Sequence, residues 1–288
     1  MEFFDQFVHR DFVEQEYKFS KIYSYIEKYM SLKEDNNEEC QKLNDKVTDN
    51  KTIWIMWMQG IEHAPELVKK CYDSVCRNKP DGYEIILLSM KNMSEYIILS
   101  KAVQEKYEKG NITATHLSDI LRLELLNMYG GCWIDATVFC SGPILDYMVS
   151  DMFLFKLGSI LSNPVIKMSS WWIAADKGNR IIHESRHALQ MYWENEEQLC
   201  DYFLLHIIMS RVIDTDCSCK EIFRNIPFFN SRNAQILVEN LGAQYCKRDW
   251  NIMKDSSHIQ KLTYKNRYIK GDIYNFYTAL LDGELDRI

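Results

Sequence analysis

Residues 116–137 read HLSDILRLELLNMYGGCWIDAT, and the order of side chains in this stretch decides the reading of the chain. Leu117, Ile120, Leu121, Leu125 and Met128 recur at helical spacing. A mostly buried helix is expected, stopped by Gly130-Gly131, where glycine accepts a positive φ without steric cost. Asp119 and Arg122 lie three apart and share one face of that helix. On a surface such a pair contributes only ~0–1 kcal/mol. Its neighbours here are apolar, which directs the pair toward something polar in the interior or at a cleft. Directly after the glycines, Cys132–Phe139 reads as one strand with a single carboxylate, Asp135, in its middle. An ionised carboxylate in apolar surroundings is costly unless it is paired, hydrogen-bonded or metal-bound. Asp135 is therefore expected to face Arg122, a divalent ion, or both; a purely structural Arg122–Asp135 pair stays open as the plainer alternative.

Upstream, Thr52–Met58 (TIWIMWM) is an unbroken apolar run of strand length, as expected of a strand covered on both faces. Gln59-Gly60 ends it, and Pro65 suits the first turn of a helix whose buried stripe is Leu67, Val68, Cys71, Val75 and Cys76. After a turn at Lys79–Gly82, Tyr83–Leu88 reads as a second buried strand. Strand, helix and strand in this order predict parallel strands joined by a right-handed crossover. Ligands in such sheets sit at the carboxyl ends of the strands, which makes Trp57, Gln59 and Gly60 a candidate site edge. Neither strand is followed by G-x-G-x-x-G or G-x-x-x-x-G-K-[ST], so a phosphate here must be held by other means.

The chain of 288 residues is 47% apolar, enough for one large core without division into independent domains. A net charge of −7 argues against a nucleic-acid partner, which usually requires a basic face. Nine cysteines without paired spacing, and no leader at the start, lead us to expect reduced thiols and a cytoplasmic location. No run of about 20 apolar residues suggests a membrane span. Residues 1–32 read as an amphipathic helical preface, with Ile22, Tyr25, Ile26, Tyr29 and Met30 at helical spacing. It can pack on the main domain or on a second subunit, giving a homo-oligomer, or lean on a membrane through Phe3, Phe4, Phe7 and Phe12. A polar connector follows over Lys33–Lys51.

From about residue 51 to 145 the chain resembles the bacterial capsular polysaccharide synthesis glycosyltransferases and, more distantly, glycosyltransferase family 32, whose pattern is roughly S-D-x-x-R-x-x-x-L-x-x-Y-G-G-x-Y-x-D-x-D. Ser118, Asp119, Arg122, Leu126, Tyr129, Gly130, Gly131 and Asp135 match it position by position, with Trp133 in the aromatic slot. The resemblance implies an α/β fold of the GT-A type, with a mostly parallel central sheet flanked by helices. The implied divisions are a helical extension and connector over 1–50 and a transferase domain over 51–288. Within it, 51–145 would be the donor half and 146–288 the acceptor-side half with a C-terminal flap. It further implies retaining transfer from a nucleotide-diphosphate sugar such as a UDP-sugar, with Mn²⁺ or Mg²⁺ as cofactor. The acceptor would be a lipid-linked saccharide, met at the inner face of the cell membrane by a peripheral protein.

By the same resemblance Asp119 would contact the donor, Arg122 would brace the acidic strand end, and Asp135 would hold the metal or the donor ribose, with Ala136 and Thr137 beside it. One departure stands out: the second acid of the D-x-D is Thr137, which offers a hydroxyl in place of a carboxylate. Trp171-Trp172 is either an acceptor platform or plain core. Asp201 opens a D-Y-F-x-x-H stretch shared with the family and joins Asp135 and Arg122 as a catalytic candidate, while His206 alone reads as a core histidine. Near the end, Gln260 stands in the family's His slot, with His258 two places earlier as candidate metal ligand. Lys261 and Lys265 could neutralise a diphosphate from the flap, or be solvated lysines. Two other readings remain: a nucleotide-sugar binder without catalysis, motivated by Thr137 and Gln260, and transfer of a sugar phosphate.

Overall fold

The computed structural model describes residues 2–30, 41–42, 50–148, 151–158, 164–265 and 273–286. Its main helices are α1 (Glu2–Tyr25), α2 (Glu66–Asn78), α3 (Ala114–Tyr129), α4 (Arg180–Asn195) and α5 (Leu204–Thr215). Its main strands are β1 (Thr52–Met56), β2 (Glu84–Leu88), β3 (Gly131–Ile134), β4 (Val138–Cys140), β5 (Met152–Lys156), β6 (Met168–Ala175) and β7 (Ile259–Lys261). Five of these strands form one sheet in the order β2–β1–β3–β6–β5. β1 pairs parallel with β2 and β3, and β6 runs antiparallel to both of its neighbours. Only β6 is therefore reversed, and the sheet is mostly parallel. Every residue of β1, β3 and β6 is buried, which is why these strands read as continuous apolar runs.

The crossover expected from the first apolar runs is present. α2 starts directly after Pro65 and buries Leu67, Val68, Cys71 and Val75 between two parallel strands. The glycine pair does what its position suggests. Gly130 (φ 72°) closes α3, and Gly131 (φ 96°) opens β3. A Cβ on Gly131 would lie 2.3 Å from the Thr52 carbonyl oxygen, so β3 reaches its place against β1 only without a side chain there.

One expectation is corrected. Cys132–Phe139 is not a single strand: β3 ends at Ile134, and Asp135–Thr137 make a turn in which the Val138 amide donates to the Asp135 carbonyl at 3.0 Å. β4 then leaves the main sheet and pairs with β7, with Val138 opposite Lys261. The Leu262 amide donates back to the Thr137 carbonyl at 2.9 Å. The turn thus sets Asp135 at the carboxyl end of the central strand, with the exit of β7 beside it.

The helical preface lies against its own chain. Phe19 packs edge-on against Phe203 at 5.4 Å, Ile26 and Tyr29 are buried, and Lys18 Nζ reaches Asp201 Oδ2 at 2.5 Å. The side chains of Phe3, Phe4, Phe7 and Phe12, and most of the connector, lie outside the described residues. Among the described residues, no helix is long and apolar enough to cross a membrane.

Candidate active site

The carboxyl ends of β1 and β3, the first half of α3 and the exit of β7 surround a cleft of about 670 Å³. Its floor is a chain of alternating charges. Arg122, whose side chain is 3% exposed, donates from Nη1 to Asp119 Oδ1 at 2.8 Å and from Nη2 to Asp135 Oδ1 at 3.0 Å. Trp133 Nε1 donates to the same Asp135 oxygen at 2.9 Å, and the Arg122 guanidinium lies 5.0 Å from the Trp133 ring centre. From the other side Lys261 Nζ lies 3.5 Å from Asp135 Oδ2 and donates to Thr137 Oγ1 at 2.5 Å. The aromatic pair Trp57 and Tyr264, edge to face at 5.2 Å, forms part of the opposite wall.

Burial and neighbouring charges together set the protonation states. Burial pushes the Asp119 carboxyl upward, but Arg122, His116 and His206 more than offset this and hold it below its ordinary value. His206 is half-buried at the edge of the same cleft, and desolvation lowers its pKa to about 4. Its imidazole is therefore neutral at physiological pH. Its Nδ1 is buried without a hydrogen-bond partner.

A second chamber of about 440 Å³ adjoins the first and shares Asp135, Ser170, Tyr202, His206 and Lys261 with it. Its walls mix apolar side chains, including Phe19 of α1, Ile166, Met168, Trp171 and Phe203, with polar ones such as Glu16 and Gln235.

The structure brings Trp57, Gln59, Asp119, Arg122, Asp135, Ala136, Thr137, Lys261 and Lys265 together on the first cleft. Other sequence candidates lie elsewhere. Gly60 (φ 86°) shapes the turn after β1 and does not line the cleft. Trp171 stacks on Phe155 at 4.5 Å and lines the second chamber, whereas Trp172 is wholly buried and donates to the Tyr147 carbonyl at 3.1 Å. The Asp201 carboxylate accepts from the Phe203 amide at 2.8 Å and pairs with Lys18, so it orients the entry to α5 without lining either space. His258 is exposed and its ring lies over Gly142, away from the cleft. Gln260 is buried and braces the backbone, accepting from the Leu237 amide and donating to the Ser257 carbonyl.

The expected Mn²⁺ or Mg²⁺ ligand set of Asp135, Thr137 and His258 is therefore not assembled. Both Asp135 oxygens face cationic or N–H groups, Thr137 is bonded to an ammonium, and His258 points elsewhere. Among the described residues, no group of three or more His, Cys, Asp or Glu side chains could hold a metal ion. A divalent ion at a diphosphate takes one or two protein carboxylates beside the phosphate oxygens, and both carboxylates among the described lining residues, Asp119 and Asp135, are already held by Arg122, so the residues present do not fit one.

Sequence reading missed Tyr202, His206 and Tyr264 as lining residues. The helical pattern of Leu204, Leu205, Ile207 and Ile208 hid His206, because a histidine beside four buried aliphatics looks like core. Only the packing of α5 against β6, the neighbour of β3 in the sheet, reveals its place.

Fold and site together define an α/β protein with a cleft lined by paired charges at the carboxyl ends of parallel strands. The chain belongs to the capsular polysaccharide synthesis protein family, whose model matches residues 6–280. It is 30% identical over 128 residues to the O-glycosyltransferase PaGT of Phomopsis amygdali, covering 41% of this chain and 29% of that protein. It is 26% identical over 163 residues to the O-glycosyltransferase braB of Annulohypoxylon truncatum, covering 51% and 39%. Over 193 residues it is 22% identical to the subversion of eukaryotic traffic protein A of Legionella pneumophila, covering 59% and 29%. The chain thus spans well under half the length of these curated relatives. Among solved structures it is similar to the PaToxG glycosyltransferase, with a TM-score of 0.41 and 13% identity over 75% of this chain and 85% of that one.

Proposed function

We propose that this chain is a retaining glycosyltransferase of the GT-A type that takes a sugar from a nucleotide diphosphate, a UDP-sugar in the first instance, for surface polysaccharide assembly. The observation that carries the reading is the Arg122–Asp135–Lys261 charge chain on the floor of the 670 Å³ cleft, at the carboxyl ends of β1 and β3. A leaving nucleoside diphosphate gains negative charge as the glycosidic bond breaks, and fixed cations aimed at it stabilise that charge without reorganising. The bond between the anomeric carbon and the β-phosphate oxygen breaks, its electron pair going to that oxygen. The acceptor hydroxyl oxygen bonds the carbon from the same face, and its proton passes to the departing diphosphate. Trp57 and Tyr264 offer aromatic faces for the base. The adjoining chamber meets the cleft at Asp135 and is the space for an acceptor, for which the family resemblance suggests a lipid-linked saccharide at the cytoplasmic membrane face.

A thermal-shift screen of nucleotide sugars tests this directly, because a true donor raises the melting temperature by mass action. One nucleotide class is expected to stabilise the chain; no shift with any donor contradicts the reading. Proton NMR of the product tests retention, since an inverted anomeric centre overturns it. The competing reading, a nucleotide-sugar binder without turnover, draws on the same cluster, in which both Asp135 oxygens are engaged and Thr137 stands for the second acid. Donor binding without any release of nucleoside diphosphate favours it.

A further inference from the structure

We propose that the Lys261 ammonium takes the place of a divalent cation in this cleft, so that the leaving diphosphate is met by a resident lysine and the protein works without a metal. The inference rests on the cleft being a nucleotide-diphosphate sugar site. Three observations carry it.

The first is position. Lys261 Nζ lies on the cleft side of Asp135, 3.5 Å from Oδ2, and donates to Thr137 Oγ1 at 2.5 Å. Those two side chains, Asp135 and Thr137, are the pair that would otherwise hold an ion.

The second is charge. The described residues lining the cleft include two carboxylates, Asp119 and Asp135, and three cations, Arg122, Lys261 and Lys265. Neutral His206 does not change that balance. A divalent ion shared with a diphosphate takes one or two protein carboxylates beside the phosphate oxygens, whereas Asp119 and Asp135 are already paired with Arg122, and Asp135 also with Lys261, in this cleft. The lining has an excess of positive charge, which suits a diphosphate.

The third is rigidity. Lys261 belongs to β7, paired with Val138 of β4, and the next amide, that of Leu262, bonds the Thr137 carbonyl. The turn that presents Asp135 therefore also fixes the lysine. Thr137 Oγ1 and, at 3.3 Å, the Leu262 carbonyl take two of the three ammonium protons. Asp135 sits beyond good hydrogen-bond length, so the third proton is available to a phosphate oxygen. Such a preset donor acts as a fixed electrostatic catalyst.

Calorimetric titration of the full chain with UDP, and in parallel with GDP, ADP and CDP, in EDTA and then in Mn²⁺, tests the proposal alongside donor turnover under both conditions. One nucleotide is expected to bind with the same affinity in EDTA as in Mn²⁺, and EDTA is expected to leave turnover unchanged. Lys261→Met keeps the aliphatic stem on β7 but removes the charge; kcat is expected to fall about a hundredfold or more. Lys261→Arg, which keeps the charge, is expected to retain most of the rate, and circular dichroism of both variants to match the parent. Binding or turnover that requires Mn²⁺ overturns the lysine proposal and leaves the glycosyltransferase reading standing, as does a Lys261→Met variant with parental kcat. No binding of any nucleotide in either condition overturns both.

Discussion

α3 carries two ion clusters, one on each face, and what each faces sets them apart. Toward the sheet edge, Asp119 and Arg122 join Asp135 beside a cleft of about 670 Å³. Toward α4, Glu124 meets Arg186 at 3.6 Å, and Arg186 donates to Gln190 at 2.9 Å, next to a void of only about 10 Å³. The residue types are alike, and Asp119, Arg122, Glu124 and Arg186 are all nearly buried, whereas Asp135 is 26% exposed. Open volume separates them: the first cluster can exchange a protein partner for a ligand, and the second can only hold helices together. A buried ion pair is thus a candidate site only when one of its members faces space.

The largest expected effect breaks the sealed cluster. Arg186→Leu leaves Glu124 buried beside a lost partner and should lower unfolding free energy by about 3–5 kcal/mol. Urea denaturation measures this, and nucleotide affinity should stay unchanged wherever the variant is folded. Destabilisation as small as that of a surface pair, or a weakened nucleotide affinity, erases the distinction between the two clusters.

A middle-sized effect sharpens the open cluster. His206 in the folded chain has a pKa near 4, below the ordinary value, so the unfolded state binds the extra proton. Stability from this group is complete above the unfolded pKa and is lost as pH falls toward the folded one. Between pH 7 and pH 5 the loss should be about 2 kcal/mol. His206→Asn should remove that part of the slope in paired urea titrations, and identical slopes contradict it.

The smallest effect probes the far wall of the cleft. Tyr264→Leu removes one edge-to-face aromatic partner and should raise the nucleotide dissociation constant by about fivefold, equivalent to ~1 kcal/mol, with kcat unchanged. An unaltered dissociation constant takes Tyr264 out of the nucleotide site.

Much of this was legible in residues 116–137. The helix, the glycine stop and the facing of Arg122 and Asp135 follow from periodicity and from the cost of an isolated carboxylate. The strand break at Asp135 was not, because Ile134 and Val138 are equally apolar and pairing with β7 decides where β3 ends. Distance in sequence concealed the rest. Lys261 reaches Thr137 across 124 positions, and no local pattern separates it from a solvated lysine. Trp171 and Trp172 are neighbours with opposite fates, one on a chamber wall and one in the core, because successive strand residues face opposite sides of the sheet. Gln260 shows the converse: a family slot can be filled by a side chain that here serves the backbone.

Asp135 is the carboxylate that Arg122 and Lys261 share at the cleft floor, and the proposed transfer depends on it most directly. Release of nucleoside diphosphate from the donor found by the stability screen, compared between the parent chain and Asp135→Asn, tests it. Release should fall by about a hundredfold or more in the variant while its urea midpoint stays close to that of the parent. Equal release by both chains contradicts the account.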